Sequence, residues 1–188
     1  MLSLNTPPSG KVSANEIVYV GYGIDHEKYS DYTNLDVEGK VVIAKPGEPQ
    51  NEDGTFIISG TEEKSKWGEG RQGRRSKSEV AKDKGAKVFL FADDDVLNYY
   101  APRHLKRQQD DDNLGLTLEI DPNEMYFFVI SEKLGKAIVS NIEESTTPQT
   151  IQANIELNYE TKTLPMLSEN VAAYIAVSYT HLRAHETY

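Results

Sequence analysis

The residue patterns with the best claim to chemistry are few, and each is tested by its spacing. His181 and His185 stand four apart, the interval at which one helix face presents two zinc ligands. The run His181-Leu182-Arg183-Ala184-His185-Glu186 puts its acid after the second histidine, whereas a His-Glu-x-x-His site needs it after the first. Gly68-Glu69-Gly70-Arg71-Gln72-Gly73 satisfies G-x-G-x-x-G, but a buried strand must feed that motif, and residues 62–67 are too charged to be one. As a P-loop the same stretch fails at Arg74-Arg75, because a guanidinium cannot ligate magnesium as a Ser or Thr hydroxyl does. It reads as a solvated glycine-rich loop before a helix. Gly21-Tyr22-Gly23 does follow a strand, yet His26 stands where the third glycine belongs, and a turn explains it. Asp93-Asp94-Asp95 and Asp110-Asp111-Asp112 offer carboxylates to calcium without the spaced acids and closing Glu of an EF-hand loop. No G-x-S-x-G elbow occurs, so a serine-hydrolase triad has no support. No catalytic or metal-ligating residue is assigned.

The elements that would position a site are clearer. Ile17 to Val20, Val41 to Ala44, Lys87 to Ala92 and Met125 to Ile130 are apolar runs bounded by turn residues, as buried strands are. Residues 150–159 alternate, with Ile151, Ala153, Ile155, Leu157 and Tyr159 on one side and polar residues on the other, which predicts a half-buried strand. Residues 76–84 predict a helix capped by Gly85, where a positive φ is wanted. Ser131 is an N-cap for a second helix with Leu134, Ile138 and Ile142 on one face. Residues 93–113, flanked by like-charged triplets, read as an exposed loop and, with the tail, as the least ordered part. The fold class is therefore α/β, a β-rich mixed sheet with two flanking helices. Its core should hold Val18, Val20, Val42, Ile43, Val88, Leu90, Phe128, Ile130, Ile155 and Leu157.

Composition narrows the partners. Of 188 residues, 20 are Lys or Arg and 30 are Asp or Glu, a net charge of −10 that argues against nucleic acid or an anionic membrane as the main partner. With no cysteine, disulfides, cysteine zinc sites and a thiol nucleophile are excluded. No apolar run reaches membrane-spanning length, and the first ten residues lack the basic and apolar regions of a signal peptide. Against the acidic background, residues 62–84 carry eight basic and five acidic side chains. Within them Trp67, Arg71 and Arg74 form the candidate contact surface, since an exposed aromatic beside Arg is a usual anchor. The alternative is a Trp packed in the core beside a solvated loop.

The end of the chain reads differently from the rest. Back-translated, Val177 to Thr187 resembles an in-frame reading of a transposase-type sequencing adapter. Residues 176–188 are accordingly expected to be a non-native tail, which removes the His181/His185 pair from consideration and leaves His26 and His104.

The order of the remaining pieces resembles a known family. Ile17-Val18-Tyr19-Val20-Gly21-Tyr22-Gly23-Ile24, Asp31-Tyr32 and the run Leu35 to Ile43 resemble the opening of the protease-associated domain inserted in bacterial zinc aminopeptidases of the glutamate-carboxypeptidase-like class. Trp67, the helix ending at Gly85, Val88 to Phe91 and Phe128-Val129-Ile130-Ser131 continue the likeness. Glu169-Asn170-Val171-Ala172-Ala173-Tyr174-Ile175 is similar to the strand that re-enters the peptidase domain. The resemblance implies a protease-associated domain over 1–163, the first strand of a truncated peptidase domain over 164–175, and a non-catalytic lid or substrate-selecting role. It implies zinc only in the parent peptidase domain, none in this fragment. Its implied partners are the rest of the peptidase domain and a peptide substrate, in a periplasmic or secreted setting. Two other readings stay open: a stand-alone interaction module of the same fold, and a carbohydrate- or calcium-binding β-rich module.

Overall fold

The computed structural model describes residues 1–109, 120–142 and 144–161. Its elements in chain order are β1 (Leu2–Ser3), β2 (Gly10–Tyr19), β3 (Asp25–His26), β4 (Tyr29–Ser30), β5 (Val41–Ala44), α1 (Gly70–Asp83), β6 (Val88–Ala92), α2 (Asp94–Gln109), β7 (Tyr126–Ile130), α3 (Glu132–Ile138) and β8 (Gln149–Tyr159). Six strands form one mixed sheet in the order β1-β7-β6-β5-β2-β8, while β3 and β4 make a separate short hairpin. β2, β5, β6 and β7 are mutually parallel, and β1 and β8 close the two edges antiparallel. The fold is thus mixed α/β with three helices among the described residues, one more than the sequence predicts.

The apolar runs become the parallel strands because both faces of the sheet are covered there. On one face Val18, Val20, Val42, Ala44, Phe89, Phe91 and Phe127 meet Ala81 of α1 and Tyr32 and Val37 of the loop before β5. On the other, Tyr19, Ile43, Leu90, Phe128 and Ile130 pack with Val139 and Ile142, at and beyond the end of α3. Gly135 lets α3 approach: a Cβ there would lie 2.9 Å from that of Ala92.

Eight of the ten expected core residues are buried, but Ile155 and Leu157 are only half-buried. They lie on the β2–β8 ribbon, beyond the covered part of the sheet, where only one face packs.

The helices need three corrections. α1 starts at Gly70, six residues before the expected start, so the glycine-rich stretch is partly helix and not wholly loop. Its glycines serve packing, since a Cβ on Gly73 would collide with the Trp67 carbonyl. The expected C-cap glycine holds, with Gly85 at φ +79°. Residues 94–109 of the expected acidic loop are α2, with Asp93 Oδ1 accepting the Val96 N–H at 2.9 Å as an N-cap does. In α3 the Ser131 cap is as expected, its hydroxyl accepting from Leu134 N at 3.2 Å. Leu134 itself is exposed, and the packed face runs through Gly135, Ile138, Val139 and Ile142 instead. Residues 110–113, the Asn170–Ile175 strand and the tail lie outside the described residues.

Candidate functional site

The four parallel strands end on the same side of the sheet, and a cleft of about 380 Å³ lies beyond those carboxyl ends. That is the usual ligand position in open α/β sheets, because loops there leave the backbone free to meet a ligand. Tyr22 comes from the turn after β2, Lys45 to Glu48 follow β5 directly, Ala92 ends β6 and Glu132 opens α3 just after β7. Ile142 also lines it, and Gln50, Phe56 and Lys64 come from the long connection into α1.

That connection is pinned by a carboxylate. Glu48 is buried, accepting hydrogen bonds from Ser65 N at 2.7 Å and Ser65 Oγ at 2.5 Å. In the same cleft, Lys45 Nζ donates to the Ser145 carbonyl at 2.8 Å and lies 4.8 Å from the Tyr22 ring centroid. Tyr19 Oη donates to the same carbonyl at 2.6 Å, tying the turn after α3 to the sheet.

Behind the cleft wall sits a buried polar cluster. Asp31 is 1% exposed, accepting from Ile24 N at 3.0 Å and from the Tyr29 hydroxyl at 2.7 Å. Gly21 makes room for it: φ is +57°, and a Cβ would meet Asp31 Oδ1 at 2.7 Å. Lys77, also 1% exposed, reaches from α1 to donate to the carbonyl of Gly47. Burial pushes the Asp31 carboxyl up to about 6, against the pull of its hydrogen bonds and of Lys77. Burial likewise takes Lys77 down to about 8, opposed by Asp31 and Glu48. Tyr22, Tyr29 and Tyr32 are all raised, first by burial and then by Asp31. Since both perturbed ions are out of reach of solvent, their effect on the cleft is structural: Lys77 holds the Gly47 backbone and its ammonium flanks the Tyr22 ring at 5.8 Å.

The candidate contact surface is not assembled as expected. Trp67 is 5% exposed, packed with Ile24 and Ile58, and its Nε1 has no hydrogen-bond partner among the described residues. Arg74 is buried too, with its guanidinium 5.6 Å from the Tyr100 ring centroid. Only Arg71 faces solvent, on a shallow depression of α1 with Arg75 and Glu79 and away from the cleft. An exposed Trp beside Arg therefore does not exist: the connection before α1 packs Trp67 against Ile24 and Ile58, and α1 turns Arg74 inward. Among the described residues no three His, Asp or Glu side chains converge to hold a metal ion, and no helix is long and apolar enough to cross a membrane.

No family model matches the chain, and no curated protein does. The site must be read from its own residues. Sequence patterns gave Phe56, Lys64 and Glu132 no role because none belongs to a motif, and read Tyr22 as part of a turn and Ile142 as part of a helix face. The available signal was position: the four apolar runs prove to be parallel strands, and parallel strands place whatever follows them on one rim.

Proposed function

We propose that the chain is a non-catalytic protease-associated module, a lid or substrate-selecting domain, from a zinc-dependent exopeptidase of aminopeptidase type. The observation that carries this reading is where the long ribbon begins and ends. Gly10 pairs with Tyr159, and Ser9 Oγ accepts from Thr161 N at 2.8 Å while Thr161 Oγ1 donates to the Pro7 carbonyl at 2.6 Å. The two ends of the ribbon thus lie side by side, which supports attachment of both to one neighbouring domain, while β1 ahead of it pairs with β7 at the other edge of the sheet. The likeness of residues 17–43 to protease-associated domains, and of residues 169–175 to the strand that re-enters the peptidase domain, supplies the identity of the host. In this reading the peptidase part holds the zinc, and none of the present residues is assigned to it. Peptide substrate and the rest of the peptidase domain are the partners.

A stand-alone interaction module of the same fold is the second reading, favoured by the cleft beyond the strand ends, the usual ligand position in an open α/β sheet. Sequencing the parent gene beyond codon 175 separates them. A His-x-Asp within the next few dozen codons, followed by further acidic residues and a histidine, is expected of the inserted module; a reading frame without such a cluster overturns it. The purified chain with added zinc should release no amino acid from peptide substrates, and activity there would overturn the non-catalytic role.

A further inference from the structure

We propose that the cleft beyond the strand ends binds a short zwitterionic peptide, a dipeptide with apolar side chains. The inference goes beyond the inserted-module reading and rests on the cleft's own side chains alone. Tyr22, Phe56, Ala92 and Ile142 give it an apolar lining, and about 380 Å³ lies within the range of small-ligand sites. Its charged residues divide into two kinds. Glu48 is committed to Ser65, and Lys45 to the Ser145 carbonyl and the Tyr22 ring, so both charges are spent within the walls.

Lys64 and Glu132 are different. They come from separate elements, the connection into α1 and the first turn of α3, and both line the same cleft. Neither side chain makes an ion pair or hydrogen bond among the described residues, Glu132 being half-buried and Lys64 exposed. One uncommitted ammonium and one uncommitted carboxylate around an apolar lining complement a ligand with the reverse pair of charges and an apolar body. A free dipeptide is such a ligand: Lys64 meets its carboxylate and Glu132 its ammonium. A nucleotide or sugar phosphate is disfavoured, since Glu132 would face its negative charge.

Calorimetric titration of the full chain with leucyl-leucine, its N-acetyl form and its C-terminal amide tests this. Unmodified dipeptide should bind, and each blocked form should bind about tenfold more weakly, the loss expected for one charge-assisted contact. Glu132→Gln should weaken the free dipeptide by a similar factor and leave the N-acetyl form no weaker than it is with the wild-type chain. Lys64→Gln should do the same for the amide. Both side chains lie at the surface rim, so circular dichroism should show unchanged folding. Absence of binding at about 10 mM dipeptide, weaker than any specific site of this size, overturns the proposal. So does binding that the blocked termini and both substitutions leave unchanged.

Discussion

Where β2 runs beside β5, Ile17, Val18 and Tyr19 have no measurable exposure; earlier in the same strand, where only β8 flanks it, exposed and half-buried residues alternate from Lys11 to Glu16. The inward positions change parity between the two stretches, from Val12 and Ala14 to Ile17 and Tyr19, across a register shift between Ala14 and Glu16. One strand therefore belongs to two regimes. In the parallel half, helices and loops cover both faces and every residue must be apolar. On the ribbon one face is solvated, so alternate positions are free to be Lys11, Ser13, Asn154 or Glu156. The cleft and the buried Asp31–Lys77 cluster lie at the end of the covered half.

The sharpest way to break this contrast is to cut matched cavities. Phe89→Ala removes a ring that is fully buried, 5.4 Å from that of Phe127, and should cost about 3–5 kcal/mol in denaturant unfolding. Leu157→Ala on the ribbon removes a half-buried side chain and should cost about 1–2 kcal/mol, because part of its surface is already wet. Equal losses would mean the ribbon is covered in solution.

Next in size is the pH dependence of the buried cluster. Asp31 titrates near 6 when folded and near its ordinary 3.8 when unfolded, so between those values the folded state holds more protons and stability falls as pH rises. Lys77 titrates near 8 folded against an ordinary 10.5, so between those values the unfolded state holds more protons and stability rises with pH. Each window should span about 3 kcal/mol. Asp31→Asn should flatten the acid limb, and Lys77→Met the alkaline limb, in urea unfolding followed from pH 4 to 10. A wild-type profile flat in both windows would show that water reaches the cluster.

Lys77 also shows why part of this fold was illegible. The buried stripe of α1 runs Gly73, Arg74, Lys77, Ala81, so its inward face carries two cations and a glycine where a periodicity argument looks for apolar residues. The parallel strands and β8 were legible because their patterns follow directly from two covered faces or one. The outer half of β2 was hidden by its short side chains and by the slip in parity. The cleft was legible only as a rim, since Lys64 and Glu132 look like any surface charges until the chain brings them to one place. α2 was masked by its own start: Asp93-Asp94-Asp95 reads as repulsion in a loop. In the structure Asp93 caps the helix and Asp94 Oδ1 takes the Glu132 N–H at 3.0 Å. Acids in a first turn favour a helix through its dipole. Asp93→Ala should therefore cost about 1 kcal/mol and fray the first turn of α2, visible as faster amide exchange at Val96. Unchanged exchange there would return the segment to a loop.

The smallest effect belongs to the exposed face of the ribbon. Lys11 and Glu156 form an ion pair across β2 and β8, and their side chains are 58% and 57% exposed. By register Lys11 stands opposite Asn158 and Glu156 opposite Ser13, so the pair is diagonal and made by two long side chains reaching along the sheet. Water screens it, and fixing both chains offsets much of the attraction. Glu156→Gln should lower stability by no more than about 0.5 kcal/mol, and the difference should vanish in 1 M salt, where the screening length is about 3 Å. A larger, salt-resistant loss would mean that this face is shielded from solvent. The ribbon would then follow the same rule as the parallel half.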